Sequence, residues 1–209
     1  MVPHIAQVSI KYQEPKVTQP IPTVAVIVGS LANGTNRKFA GAIAKLAAGR
    51  LDFRFVEIGD LPLYNYELEA DFPAAAARLK AAVESADAVL FVTPEYLRSI
   101  PAALKNAIEW GARPWGKNSW EGKPASIVGA TPGAIGTAVA QTELRAILSH
   151  LGAALHTRPE VYFQVKPETY GDDGAFADAG ALHLLNTWID SFATWIARLS
   201  QPAILARAS

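Results

Sequence analysis

Short apolar segments rich in β-branched residues alternate with helical segments along most of this chain. Thr23–Val28 and Ala88–Val92 are apolar at nearly every position, so both faces of each predicted strand require burial. Between them, Ala74–Ser85 carries Leu79 and Val83 at helical spacing. Strands that are buried on both faces and separated by helices indicate a parallel sheet covered on both sides.

The pattern predicts five strands and five helices. We expect strands at Thr23–Val28, 53–58, Ala88–Val92, 125–128 and within 154–163, and helices at 36–48, Ala74–Ser85, 99–111, 137–151 and 179–199. This succession fits an α/β, flavodoxin-like, doubly wound five-stranded parallel sheet of order 2-1-3-4-5 with helices on both faces. Such sheets bind ligands outside the carboxyl ends of their strands, at the switch point between strands 1 and 3. The loops after Val28, Val92 and Val128 are therefore expected to meet and form the site.

The length of 209 residues fits a single domain. We predict a loosely ordered N-terminal arm at 1–21, a domain at 22–201 and a C-terminal tail at 202–209. The formal net charge of zero disfavours a nucleic-acid partner and a strongly acidic electron-carrier surface. The first 22 residues lack the apolar stretch of a secretory signal, and no run of about 18 apolar residues predicts a membrane segment.

The chain contains no cysteine, which excludes disulfides, thiolate metal sites, iron–sulfur clusters and a cysteine nucleophile. No pair of histidines has metal-ligand spacing, and no GxSxG elbow indicates a serine nucleophile. We therefore predict no metal and no catalytic side chain, and any redox chemistry requires a bound cofactor. The lack of cysteine also favours a reducing compartment, and we expect a cytoplasmic protein.

The first predicted site loop, GSLANGTNRK at 29–38, leads directly into a helix N-terminus. Ser30, Thr35 and Asn36 offer short hydrogen-bond donors there, and free N–H groups and the helix dipole favour an anion. The loop is neither a Walker loop nor a GxGxxG fingerprint, and it suits the phosphate monoester of FMN better than a pyrophosphate. The alternative is an ordinary strand–helix turn.

The second and third loops suit a planar ring. In TPEYLRSIP at 93–101, Pro94 stiffens backbone amides that can hydrogen-bond a flavin, and Tyr96 is placed to pack at the ring edge. Glu95 is expected to approach a helix or contact a subunit rather than act as a general acid. In GATPGAIGT at 129–137, three glycines let the backbone approach a planar ligand, although each also fits a turn with positive φ.

Four segments, VIVGSLANGTNRKFA, DLPLYN, VTPEYLRSIPAALKNAIEW and GATPGAIGTAVAQTELRAILSHLG, together resemble the NADPH-dependent FMN reductase family. This flavodoxin-like group includes quinone and chromate reductases, and the resemblance covers roughly residues 22–165. It implies FMN as the cofactor and NADPH or NADH as the reductant. Hydride would pass through flavin N5 to a quinone, a free flavin or another small acceptor by ping-pong turnover.

The resemblance also assigns cofactor-binding residues. It implies contacts with the FMN phosphate from Ser30, Thr35, Asn36 and Arg37, with the isoalloxazine from Pro94, Glu95, Tyr96 and Leu97, and with its other side from Thr131, Gly133 and Gly136. It further implies homodimers or homotetramers whose neighbouring subunits close the site, with Glu160 at a position tied to oligomer contacts.

This chain departs from the family pattern at four positions. Ala32 replaces an arginine in a phosphate loop that is one residue shorter, Leu97 replaces an asparagine, and Ala102 replaces a glycine. The last segment has Gly136 followed by threonine where the family often has two glycines. The replacement at Leu97 predicts a more apolar pocket.

Other functions share this fold. An azoreductase or an arsenical oxidoreductase would use the same architecture, and pocket details would distinguish them. A flavodoxin-type electron carrier would lack an NAD(P)H site, and a cofactor-free binding protein would have lost its phosphate loop. The sequence leaves the acceptor and the choice of NADPH or NADH open. Trp110, Trp115 and Trp120 are interpreted either as core residues or as an interface or acceptor surface.

Overall fold

The computed structural model describes residues 20–200. The strands are β1 (Thr23–Val28), β2 (Asp52–Val56), β3 (Ala88–Val92), β4 (Pro124–Thr131), β5 (Ala154–Leu155) and β6 (Val161–Gln164). The helices are α1 (Thr35–Leu46), α2 (Ala74–Ser85), α3 (Ala102–Gly111), α4 (Ala138–His150) and α5 (Ala179–Ser200), with short 3-10 turns at Tyr66–Glu69 and Pro167–Thr169.

All strand pairs of the sheet are parallel, and the strands follow the order β2-β1-β3-β4-β5, with β6 also pairing with β4. This order confirms the flavodoxin-like, doubly wound architecture. The chain reverses its winding direction between β1 and β3, so the carboxyl ends of β1, β3 and β4 lie side by side at one edge of the sheet.

The predicted fifth strand at 154–163 is two separate strands. β5 pairs with Pro124 and Ala125, whereas β6 pairs with the last four residues of β4, on the same side of that strand. The segment between them contains Pro159, which has no N–H to donate to the sheet. The prediction of five strands was therefore one strand short, although the order of the sheet is as predicted.

Helices cover both faces of the sheet, as predicted. Val24 and Val26 of β1 point into a core layer with α1 and α5, which contains Phe39 and Trp188. Ala25 and Ile27, which alternate with these valines, point into a second layer with α2, α3 and α4. The strictly apolar sequence of β1 is explained by this burial on both sides.

Helix α3 begins at Ala102, three residues later than predicted. Ser99, the first residue of the predicted helix, instead exchanges two backbone hydrogen bonds with Tyr96, each 3.0 Å long. Pro101 occupies the N-cap position, and the residue before a proline is disfavoured in the helical conformation.

The predicted arm at 1–21 and tail at 202–209 lie outside the described residues, apart from positions 20 and 21. The domain bounds of 22–201 accordingly stay a prediction. Within residues 20–200, no helix combines the length and the apolar character that crossing a membrane requires.

Candidate functional site

Three loops meet at the carboxyl ends of β1, β3 and β4. The Gly29 N–H donates to the Val92 carbonyl and the Thr93 N–H donates to the Val128 carbonyl, both at 2.9 Å, which aligns the loop starts. A crevice of about 210 Å³ opens between the loops. Its lining residues are Ser30, Ala32, Gly34, Thr35, Asn36, Pro94, Glu95, Tyr96, Ala130, Thr131 and Pro132. The predicted convergence is confirmed, although β4 runs on to Thr131 before its loop begins.

The N-terminus of α1 faces this crevice without a side-chain cap. Its N-cap residue is Gly34, and its first turn contains no acidic residue. The Lys38 N–H is bonded to the Gly34 carbonyl at 3.1 Å, so the N–H groups of Thr35, Asn36 and Arg37 precede the first helical hydrogen bond. Uncapped amides and the positive end of the helix dipole favour an anion at this position.

The Ser30 hydroxyl lies in the same crevice and has no hydrogen-bond partner. Its Oγ is buried, and the only other such side-chain atom in residues 20–200 is the hydroxyl oxygen of Tyr170. Buried polar groups are nearly always paired in folded proteins, so an unpaired hydroxyl that lines a crevice indicates a position for binding a ligand. Tyr170 does not line this crevice, and burial raises the pKa of its phenol to about 12.

The Asn36 side chain holds two of the loops together. Its amide donates to the Ala130 carbonyl and its carbonyl accepts from the Ala130 N–H, both at 2.9 Å. Both ends of the amide are engaged in this pairing, which leaves one Nδ2 hydrogen without a partner among these two bonds. The backbone N–H of Asn36, in the first turn of α1, is a further donor that can bind an anion.

Arg37 does not line the crevice, and its contact with a phosphate stays a prediction. It forms an ion pair with Glu57, and its guanidinium lies 5.2 Å from the centre of the Phe55 ring. It lines a neighbouring cleft of about 260 Å³ between the first loop and the end of β2. The carboxylate just after β2 attracts the guanidinium away from the helix end, so the crevice relies on backbone amides and hydroxyls.

Glu95 caps α4 from the second loop. One carboxylate oxygen accepts from the N–H groups of Val139 and Ala140, at 3.1 and 3.3 Å, and the other accepts from Arg98 at 2.9 Å. The N-cap residue of α4, Thr137, makes no capping hydrogen bond of its own. The expected role of Glu95 as a charge that approaches a helix is confirmed, and its carboxylate fixes the second loop against the third.

Three predicted ring contacts, Leu97, Gly133 and Gly136, do not line the crevice. Leu97 is fully exposed at the tip of the second loop. Gly136 has φ of +59°, and a Cβ placed on it would lie 2.4 Å from the carbonyl carbon of Tyr162, so this glycine serves the packing of the third loop on β6. Gly133 is exposed in the third loop, with no close neighbour at its Cβ position. Of the third-loop residues predicted at the ring, Thr131 lines the crevice.

The crevice residues that the sequence analysis missed are Ala32, Gly34, Ala130 and Pro132. Each lies within two positions of a predicted residue in the same loop, so the switch-point argument could have located them. No local signal distinguishes them, because small residues line the crevice mainly through their backbone.

The family model of NADPH-dependent FMN reductases matches residues 22–168. The chain belongs to the NADPH-dependent FMN reductase family. It is 42% identical over 174 residues to a 2-hydroxy-1,4-benzoquinone reductase from a Burkholderia species, with 83% of this chain and 95% of the relative covered. It is 43% identical over 176 residues to a quinone reductase from Pseudomonas putida, with 83% and 94% covered.

A solved structure agrees with these relationships. FerB, a flavoenzyme NAD(P)H:(acceptor) oxidoreductase from Paracoccus denitrificans, superposes with a TM-score of 0.83 at 47% identity, covering 85% of this chain and 98% of that one. Family membership makes this chain an FMN-dependent NAD(P)H oxidoreductase and excludes neither a quinone nor a flavin as acceptor. It also argues against the cofactor-free and electron-carrier alternatives.

Proposed function

We propose that this family member reduces quinones and that it holds FMN in the crevice between its three loops. The phosphate would lie at the N-terminus of α1, on the Ser30 hydroxyl, the Thr35 hydroxyl and the free amides of the first turn. The isoalloxazine would lie against Pro94, Glu95 and Tyr96 on one side and Thr131 on the other. The quinone acceptor is supported by the names of two relatives that are more than 40% identical.

The observation that carries this proposal is the unpaired, buried hydroxyl of Ser30 beside an uncapped helix end. A phosphate monoester presents several acceptor oxygens and would satisfy the hydroxyl and the amides together. The absence of an acidic side chain from the first turn of α1 fits the same ligand. These donors therefore suit FMN without help from Arg37.

When bound, FMN supplies the hydride chemistry of the family. The overall reaction converts NAD(P)H, a proton and a quinone into NAD(P)⁺ and a hydroquinone. The protein's own residues bind and orient: the helix end anchors the phosphate, and Pro94 and the Glu95 cap keep the second loop rigid. No ionisable side chain is required for proton transfer, since two-electron reduction of a quinone can draw its protons from water.

Purified protein tests this assignment directly. The holoenzyme is expected to be yellow, to bleach when NADPH or NADH is added without oxygen, and to recover its colour when a benzoquinone is added. A yellow protein that is not bleached by either nucleotide, or a bleached protein that benzoquinone does not reoxidise, would contradict the proposed reaction.

The variant Ser30→Ala tests the phosphate site. We expect FMN affinity to fall roughly tenfold or more, because a hydrogen bond to a charged group contributes about 1.5–3 kcal/mol. The apoprotein should not lose stability, since the hydroxyl has no partner to lose. Ser85→Ala, at the exposed end of α2, is the matched control. Equal FMN affinity in the wild type and Ser30→Ala would remove Ser30 from the site.

We further propose that copies of the chain associate through the groove between α3 and α4. The groove measures about 510 Å³ and is lined by Ile108, Ile147 and Leu151, among others. Trp115, whose side chain is 87% exposed, lines an adjoining cleft. Large exposed tryptophans next to apolar grooves are typical of interfaces. Trp110 and Trp120, in contrast, belong to the core.

Light scattering tests this association. The wild type should have twice or four times the mass of one chain, and Trp115→Ser should shift it toward the monomer. Tyr66→Ser, which removes another exposed ring, is the control.

Glu160, the predicted oligomer-contact residue, forms an ion pair with Arg145 at 3.2 Å near β6, where a second interface of a tetramer would form. A cytoplasmic location remains part of the proposal and is testable by cell fractionation.

A further inference from the structure

Leu97 is held in a backbone conformation that leucine rarely adopts. Leu97 and Arg98 have φ of +51° and +65°, and they form the two-residue turn between Tyr96 and Ser99. Such turns favour asparagine, aspartate or glycine, since a β-carbon crowds the following carbonyl in the left-handed region. The side chain is fully exposed, so no contact within residues 20–200 offsets this cost.

The turn is nevertheless firmly supported. The Glu95 carboxylate accepts hydrogen bonds from the first amides of α4 and, at 2.9 Å, from Arg98. Leu97 therefore lies in a loop that is fixed to a helix. Strained residues persist where the surroundings determine them, and they concentrate at functional sites. The structure therefore presents an apolar side chain at a defined place rather than on a mobile tip.

That place is the border of the cofactor crevice. Tyr96, which adjoins Leu97, lines the crevice and is half exposed. Ile135 and Val139 are also exposed on the third loop and the start of α4, and the Val139 N–H bonds to Glu95. We call Tyr96, Leu97, Ile135 and Val139 the apolar rim.

The size of the crevice gives the rim a role. Pockets that bury a cofactor-sized ligand usually measure about 300–1,000 Å³. At about 210 Å³, this crevice is smaller, so we expect part of a bound FMN, and an acceptor that meets its reactive edge, to extend beyond it. The apolar rim is the protein surface available there.

From these observations, we propose that Leu97 is a specificity-determining residue that favours planar, uncharged, apolar acceptors over anionic ones. This inference rests on the proposed placement of FMN in the crevice. An acceptor approaching the exposed part of the ring would bury its own apolar face against the leucine side chain. A charged acceptor would gain nothing from this contact and would lose hydration against it.

The holoenzyme variants Leu97→Asn and Leu97→Met test this role. The measurement is kcat/KM for 2-methyl-1,4-naphthoquinone divided by kcat/KM for 1,4-naphthoquinone-2-sulfonate. In ping-pong turnover this ratio is independent of the nucleotide step and of FMN occupancy. We expect Leu97→Asn to lower the ratio roughly fivefold to tenfold, as for partial loss of one apolar contact. Leu97→Met should retain it.

A second readout is independent of turnover. Asparagine tolerates positive φ, so Leu97→Asn should raise the Tm of the apoprotein, whereas Leu97→Met should not. Leu199→Asn makes the same change on an exposed leucine in the last turn of α5. It should not alter the acceptor ratio, and it should not raise the Tm.

The outcomes separate this inference from the function on which it rests. An unchanged ratio in Leu97→Asn, with normal reoxidation by both quinones, overturns the role of Leu97 and leaves the quinone reductase intact. A change of oligomeric mass in Leu97→Asn by light scattering also overturns it, because the leucine would then serve a subunit contact. Wild-type holoenzyme that neither quinone reoxidises contradicts the proposed function itself.

Discussion

The Asn36 side chain pairs with both backbone groups of Ala130, joining the first turn of α1 to the end of β4 across 94 positions of the sequence. The amide is buried. β3 pairs with β4 only as far as Val128, so the Asn36 amide supplies the hydrogen bonds that the Ala130 backbone lacks on that side. The distance between the first and third loops, and hence the width of the crevice, is set by this pair.

Asn36→Ala is expected to destabilise the protein by about 2–4 kcal/mol, because it leaves a buried N–H and a buried carbonyl unpaired. FMN affinity should fall as well, since the two loops lose their connection. Urea unfolding and FMN fluorescence titration provide the two measurements. Asn33→Ala, in the exposed part of the same loop, should change the free energy of unfolding by less than about 0.5 kcal/mol. Similar losses in both variants would contradict the proposed role of the pair.

Glu95→Ala should cost about 1–2 kcal/mol of stability, because the first amides of α4 lose their cap and the helix dipole loses a favourable charge. Arg98→Ala removes only the exposed partner of Glu95 and should cost less than about 1 kcal/mol. Chemical denaturation of both variants separates the contribution of the helix cap to stability from that of the ion pair. If Arg98→Ala were the more damaging change, the capping interpretation would be wrong.

Replacement by alanine should affect stability at one glycine of the third loop and not at another. Gly136→Ala is expected to lose about 2–5 kcal/mol, since φ is positive and the new methyl group would overlap the Tyr162 backbone. Gly133→Ala meets only the Thr131 hydroxyl, at 3.8 Å, and should change stability by no more than about 0.5 kcal/mol. Any effect of Gly133→Ala should appear in FMN affinity instead. A stable Gly136→Ala protein, measured by thermal unfolding, would show that this loop is more adaptable than its packing indicates.

The sequence predicted the central strands well because their pattern is dictated by burial on both faces. β1 and β3 begin and end where the apolar runs do. The end of β4 was missed by three residues, since Gly129, Ala130 and Thr131 have turn-like composition. They become a strand because β6 provides a partner for them. The end of β4 is therefore determined by pairing with a strand about 30 residues later in the sequence.

The position of the site was predictable and the orientation of its side chains was not. Topology alone places the ends of β1, β3 and β4 together, which located the crevice. The direction of Arg37 depends on Glu57, at the end of another strand, and the role of Gly136 depends on the backbone of Tyr162. Neither partner is visible in the local pattern that suggested a phosphate or a ring contact.

His156 lies in a chain of hydrogen bonds that a neutral ring satisfies. Trp188 donates to the Ser126 hydroxyl at 3.1 Å, and Ser126 lies 3.2 Å from His156 Nδ1. On the other side, His156 Nε2 lies 2.9 Å from the Ser191 hydroxyl, which donates to the Arg158 carbonyl. Since Ser191 uses its proton on that carbonyl, Nε2 carries a hydrogen, and in the neutral ring Nδ1 accepts from Ser126.

Stability should therefore decrease on acidification. Burial lowers the pKa of His156 below the value of 6.5 expected for an exposed histidine. As pH falls below about 6.5, His156 becomes protonated in the unfolded chain while it is still neutral in the folded protein. The free energy of unfolding therefore decreases by up to about 1.4 kcal/mol per pH unit. Above both pKa values the effect disappears. Urea unfolding of the wild type and His156→Gln between pH 8 and pH 5 measures it. The variant should be less stable at pH 8 but should have a shallower dependence on pH, and parallel curves would contradict a neutral His156 in the folded state.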